Sequence, residues 1–217
     1  MIDRIASRFD GRFLRGWVRG KLRGDPIFEA TAGLVQGSDL PLVDMGCGLG
    51  LLSFYLREKG FNAPIIGVDF DTPKISIANR LSSQYRGLHF DATDIFAWLK
   101  STTFQGHIVM ADLLHYLPEE KQHALLQAAV PRIAPGGLCI IRETPRARTW
   151  RFRATQLEEF VIHRIGWMKS GAKHYLAKEE ITAPFAQAGF EISIAPLWGR
   201  TPFNSHLFTF SRPATSG

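Results

Sequence analysis

Apolar positions along the chain switch repeatedly between short continuous runs and helical spacing, and the switches mark out elements. Leu42 and Val43 precede Asp44 and a cluster of glycines, which reads as a buried strand breaking into a turn. Leu51, Leu52, Phe54, Tyr55 and Leu56, followed by Gly60, read as the helix that the turn opens. Residues 63–68 form a second apolar run that ends in Asp69-Phe70-Asp71. Residues 88–92 read as a third strand, and Asp94 is placed to cap a helix through Ile95, Phe96, Ala97, Trp98 and Leu99. Residues 107–111 are a fourth apolar run; a helical pattern from Leu125 to Ile133 then stops at Pro135-Gly136-Gly137, before a buried strand over residues 138–143. A helix over residues 181–190 and a strand pair over 191–196 and 206–212 complete the pattern. Strands alternating with helices predict an α/β fold with a mostly parallel sheet. Two stretches lie outside this alternation and carry helical stripes: Phe9, Phe13, Trp17 with Leu14, Val18 and Leu22, and later Leu157, Phe160, Val161, Ile165 and Met168. Both predict amphipathic helices folded over the core.

The glycine turn is the first piece of chemistry. Gly46, Gly48 and Gly50 alternate with other residues, so the backbone can turn tightly and approach a ligand, while the following helix presents unpaired N–H groups. A dinucleotide fingerprint would place its third glycine or alanine at position 51, which is Leu51, so a dehydrogenase is disfavoured. Asp69 follows Gly50 by nineteen residues at the end of the second strand, where an acid can accept both hydroxyls of a ribose.

Asp44-x-Gly46-x-Gly48-x-Gly50 resembles the first motif of class I S-adenosylmethionine (SAM)-dependent methyltransferases, and residues 88–94 resemble that family's third motif. The helix, Pro-Gly-Gly turn and strand of residues 125–143 resemble a common signpost of the same family. The resemblance implies a Rossmann-like seven-stranded sheet, mostly parallel with an antiparallel last strand, helices on both faces and a helical cap. It covers a SAM-binding core in 38–142 and the last helix and strand pair in 180–217; residues 1–37 and 143–179 carry no motif of the family, and their helical stripes are read as cap helices and a cap insert of the same single domain, 1–217. For the cofactor it implies Asp44, Gly46, Cys47, Gly48 and Gly50 in the loop, Asp69 and Phe70 at the ribose, Asp91 and Ala92 at the adenine, and Asp112 and Leu113 beside the methyl-donor end.

Composition narrows the setting. A chain of 217 residues with 45% apolar content can bury a full core. No apolar run reaches the roughly 18 residues of a membrane span and the first residues are unlike a signal peptide, so a cytoplasmic enzyme is expected. Cys47 and Cys139 lack metal-ligand spacing and read as reduced apolar fillers; the seven scattered histidines form no metal motif, so no metal is expected.

Charge adds the last layer. Residues 1–25 hold seven Lys/Arg against three Asp, and residues 145–178 hold eight against two Glu, so the net charge of +6 belongs to the two segments outside the motif-bearing core. The simple reading is a solvated basic face. The functional reading is a cap whose rim attracts an anionic partner: a carrier protein presenting a bound acyl or aromatic group, an anionic membrane surface, or, less favoured, nucleic acid. Residues 13–26, and residues 150–153 with 157–159, are similar to methyltransferases of bacterial acyl-carrier and aryl-polyene pigment pathways. The expected reaction is therefore methyl transfer from SAM to a small-molecule or carrier-bound acceptor, at oxygen or ring carbon. An RNA methyltransferase and a non-catalytic SAM-binding subunit are the alternatives. If the acceptor is a phenol, a base is needed, and His115 is the first candidate because it follows Asp112 by three residues. His163, four residues after Glu159, is the second. Tyr116, Arg142, Trp167, His174 and Tyr175 are the expected acceptor-pocket residues.

Overall fold

The computed structural model describes residues 1–147, 150–152, 174–199 and 204–214. Its seven strands form one sheet in the order β3-β2-β1-β4-β5-β7-β6. The strands are β1 (Leu42–Met45), β2 (Ile65–Asp69), β3 (Leu88–Ala92), β4 (His107–Ala111), β5 (Leu138–Glu143), β6 (Glu191–Pro196) and β7 (His206–Ser211). β1, β2 and β3 pair in parallel, whereas β7 runs antiparallel to both β5 and β6. Every residue of β1 is buried, as are all but the last residue of β4 and all but the first of β5. Strands covered on both faces lose the polar alternation of a half-exposed sheet, which is why they appear in the sequence as continuous apolar runs. β7 alternates instead, burying His206, Phe208 and Phe210.

The chain divides into two compact units, Met1–Val109 and Met110–Gly217. In the first, α1 (Ile2–Ser7), α2 (Arg12–Gly24) and α3 (Ile27–Leu34) precede β1, and α4 (Leu51–Glu58), α5 (Thr72–Ser82) and α6 (Ile95–Ser101) connect the strands. Its aromatic centre is Phe54, which meets Phe9 edge-on at 6.3 Å, Tyr85 at 5.3 Å and Phe90 at 5.6 Å between ring centroids.

The N-terminal stripe departs from the expected single helix. Gly11, at φ +79°, breaks the chain between α1 and α2. Phe9 therefore belongs to the break and is fully buried, Val18 and Leu22 form the buried side of α2, and Phe13 is 73% exposed. Arginines fasten the pair of helices. Arg19 Nε donates to Asp3 at 2.5 Å, Arg23 meets the same carboxylate at 3.0 Å, and Arg15 Nε donates to the Phe9 carbonyl at 2.6 Å. Arg4 pairs with Glu58 on α4.

In the second unit a short 3-10 turn (Leu114–Tyr116) leads to α7 (Glu119–Ala129), another 3-10 turn (Val130–Arg132), β5, α8 (Lys178–Gln187) and the β6–β7 pair. Phe185 on α8 stacks on Phe210 at 3.8 Å and meets Phe190 edge-on at 5.7 Å, which seats the helix on the sheet. Among the described residues no helix is long and apolar enough to cross a membrane.

Candidate functional site

The glycine loop leaves β1 and is pinned at once to β2: the Gly46 and Cys47 amides donate to the Val68 carbonyl at 2.8 and 3.2 Å. Gly46, Gly48 and Gly50 all hold positive φ, +79°, +53° and +71°. Gly50 is constrained twice, because a Cβ there would also lie 2.6 Å from the Phe90 ring. Its carbonyl accepts from Phe54 N at 3.0 Å and starts α4. The alternating glycines of the sequence are thus a requirement of the backbone.

Two carboxylates flank this loop. Asp44, 3% exposed, has its pKa pushed up to about 7, first by burial and then by the charge of Asp69. Asp69 ends β2 and braces the loop, with Oδ2 accepting from Gly48 N at 2.9 Å and Oδ1 from Asp71 N at 2.8 Å. The neighbouring Phe70 ring is 65% exposed. On β3, Asp91 accepts from Trp98 Nε1 at 3.0 Å and meets His89 Nε2 at 2.8 Å, and Ala92 is paired in register with Asp69. Asp94 caps α6, accepting from Phe96 N at 2.9 Å and Ala97 N at 3.1 Å. Cys47 is half-buried, and burial pushes its thiol well above the usual range.

The loop and its acids suit SAM on chemical grounds. The Asp69 carboxylate at the end of β2, beside backbone that permits close approach, suits the ribose hydroxyls of such a ligand, and the buried Asp44 behind the loop adds a polar group to its floor.

The second unit gathers a different group. Asp112 adopts φ +53°, its amide donates to the Arg142 carbonyl at 3.0 Å, and its carboxylate takes a two-pronged ion pair from Arg142, whose Nε lies 2.8 Å from Oδ1. Arg142 is buried against Asp112, so one expected cofactor neighbour and one expected pocket residue hold each other. Leu113 leads into the 3-10 turn that carries His115 and Tyr116.

His115 is 4% exposed, and its Nδ1 lies 2.5 Å from Glu143 Oε1. Glu143 closes β5 and is itself 1% exposed. Its carboxylate also accepts from Leu114 N at 3.0 Å, His115 N at 3.3 Å and Thr144 N at 2.9 Å. Since each of these partners is an N–H donor, the carboxylate serves throughout as acceptor. Nδ1 therefore donates the shared proton to the carboxylate. The Tyr175 ring stacks on the imidazole at 5.7 Å and 12°, Tyr116 lies 4.1 Å from it, and Phe152 meets Tyr175 edge-on at 5.1 Å. His174 N donates to the His115 carbonyl at 3.4 Å. The structure therefore brings together His115, Tyr116, His174 and Tyr175, and adds Glu143, which sequence reasoning passed over as a strand residue. The one available signal was an acid at the buried end of an apolar strand. His163 and Trp167 lie outside the described residues.

Fold and glycine loop together define an α/β protein built around an adenosyl-type cofactor. Residues 42–137 match the family model described as a methyltransferase domain. Over those residues the chain is similar to class I SAM-dependent methyltransferases. It is 30% identical over 105 residues to carboxy-S-adenosyl-L-methionine synthase of Trichlorobacter lovleyi, covering 46% of this chain and 43% of that protein. It is 29% identical over 128 residues to 2-heptyl-1-hydroxyquinolin-4(1H)-one methyltransferase of Mycobacteroides abscessus, covering 58% and 54%. The chain thus spans about half the length of these curated relatives. Among solved structures, magnesium protoporphyrin IX methyltransferase from Synechocystis PCC 6803 with bound SAH superposes with a TM-score of 0.65 at 20% identity, covering 97% of this chain and 93% of that one, a likeness of fold.

Proposed function

We propose that the protein transfers a methyl group from SAM to a hydroxyl of a small aromatic acceptor, free or carried on an acyl-carrier protein. The observation that supports this reading best is the buried His115–Glu143 pair: an imidazole fixed in one tautomer and enclosed by tyrosine rings suits a phenolic substrate. In the proposed assignment the Gly46–Gly50 loop, Asp44, Asp69 with Phe70, and Asp91 with Ala92 hold the cofactor. SAM, when bound, would supply an electrophilic methyl carbon on a sulfonium that leaves as the neutral thioether. His115 Nε2 takes the acceptor proton as the oxygen–carbon bond forms, and Glu143 stabilises the resulting imidazolium through Nδ1–H. Tyr116 and Tyr175 would flank the acceptor ring, and Asp112 with Leu113 would border the reacting methyl.

The test is methyl transfer from labelled SAM into a cell extract fractionated into RNA, protein, lipid and small molecules, with S-adenosylhomocysteine measured alongside. Label entering a small-molecule or carrier fraction with matching S-adenosylhomocysteine is the expected outcome. Label confined to RNA, or SAM consumed without S-adenosylhomocysteine, would overturn it; the second result would point to chemistry on the cofactor itself.

A further inference from the structure

The second unit holds a cluster of ligating groups that the proposed reaction does not use. Glu119 and His123 stand four residues apart in α7 and so share one face of the helix. Glu180 lies in the first turn of α8, which packs against α7. One ligand atom from each of Glu119, His123 and Glu180 lies within 4.8 Å of the other two. The surroundings support the same centre. Glu119 Oε2 lies 3.6 Å from His174 Nδ1, and His174 Nε2 is buried without a hydrogen-bond partner among the described residues. Glu180 Oε2 is steadied by the Ala177 amide at 2.5 Å and faces Arg146 at 3.3 Å.

One imidazole with two carboxylates suits zinc and neighbouring transition cations, which bind such donors at about 2.0–2.2 Å, better than calcium or magnesium, which take oxygen alone. Rotamer adjustment of three partly exposed side chains would draw the donors to those distances. We propose that Glu119, His123 and Glu180 bind one divalent transition-metal ion, with His174 supporting Glu119 from outside the coordination shell. Such an ion fastens the first turn of α7 to the first turn of α8. Gln122, between the two α7 ligands, already donates to the Leu117 and His174 carbonyls at 2.9 and 3.0 Å. Binding would therefore also steady the stretch that carries His174 and Tyr175 against His115. The guanidinium of Arg146 is the opposing charge, and Glu180 would exchange it for the metal.

The proposal does not depend on the methyl-transfer reading and is tested without turnover. The chelator-treated full chain is titrated with Co²⁺, read by ligand-field absorption, and with Zn²⁺, read by thermal unfolding. One equivalent of Co²⁺ per chain and a Tm that rises with free Zn²⁺ are expected. His123→Ala and Glu119→Gln should each weaken binding at least tenfold while SAM affinity stays at the wild-type value; either variant serves if the other fails to fold. Undiminished binding in both variants would overturn the proposal, because the ion would then be held elsewhere. So would the absence of any Co²⁺ spectrum or Tm shift at millimolar metal, or an equal Tm rise with Mg²⁺.

Discussion

Asp44 shows how far one side chain can shape behaviour. Its folded pKa of about 7 lies above the ordinary 3.8, so the fold favours the protonated carboxyl. Its contribution to stability is whole below about pH 4 and is lost as pH rises toward 7, by about 4 kcal/mol at most. Asp44→Asn should therefore flatten the fall in Tm between pH 5 and 8 that the wild type shows, and an unchanged slope would place the titrating group elsewhere. Asp69 combines bracing of the loop with its proposed ribose contact. Asp69→Ala should weaken SAM by about 1.5–3 kcal/mol in calorimetry, the range for hydrogen bonds to a charged group. For the base, His115→Ala should lower turnover by roughly 10²-fold or more with SAM affinity kept. Glu143→Gln should lower kcat while leaving the acceptor KM nearly unchanged, and a variant as active as wild type would remove Glu143 from the mechanism. The glycine loop and the Asp94 cap were legible because each is a local pattern of a few residues. Glu143 was not, since its partner His115 is 28 residues away and only the folded backbone brings them together.

At the scale of elements, the turn from β1 into α4 is the least forgiving. Gly50→Ala would add a Cβ against Phe90 in a left-handed conformation, so a loss of about 2–4 kcal/mol in urea unfolding is expected from the backbone strain and the crowding together. A loss below about 1 kcal/mol would mean that the Phe90 ring swings aside freely. Buried strands were readable as apolar runs for the reason that parallel sheets are covered on both faces. The N-terminal stripe was misleading because helical spacing continues through Gly11, although the backbone does not. A glycine at positive φ ends one helix and starts another without interrupting the count of apolar residues. β6 was correctly placed, yet every residue in it is exposed, which its alternation of Ile192 and Ile194 with polar neighbours did not announce.

At the scale of the molecule, the basic composition is partly spent inside the protein. Arg15, Arg19 and Arg23 serve the α1–α2 pair, and the Arg151 guanidinium lies 4.8 Å from the Trp150 ring centroid and 4.2 Å from that of Trp198. The better probe of an anionic partner is therefore the exposed Phe13 with its neighbour Arg12. Arg12→Gln combined with Phe13→Ser should leave SAM binding and Tm near wild type while raising the KM for a carrier-bound acceptor, an effect that shrinks as salt rises. Loss of liposome association in the double variant would favour a membrane partner, and loss of RNA retention a nucleic acid. Identical behaviour with every partner would reduce this face to a solvated surface.

The two thiols give the protein a pair of internal clocks. Cys47 sits in the glycine loop and Cys139 in the fully buried interior of β5, and burial holds both in the unreactive neutral form. An alkylating reagent can reach Cys139 only when its surroundings open, whereas half-buried Cys47 responds to smaller movements, so the Cys47 rate times local fluctuations of the loop and the Cys139 rate times unfolding on a larger scale. Their ratio would read loop order in solution with no label attached. A ligand that settles in the loop should slow the first clock far more than the second.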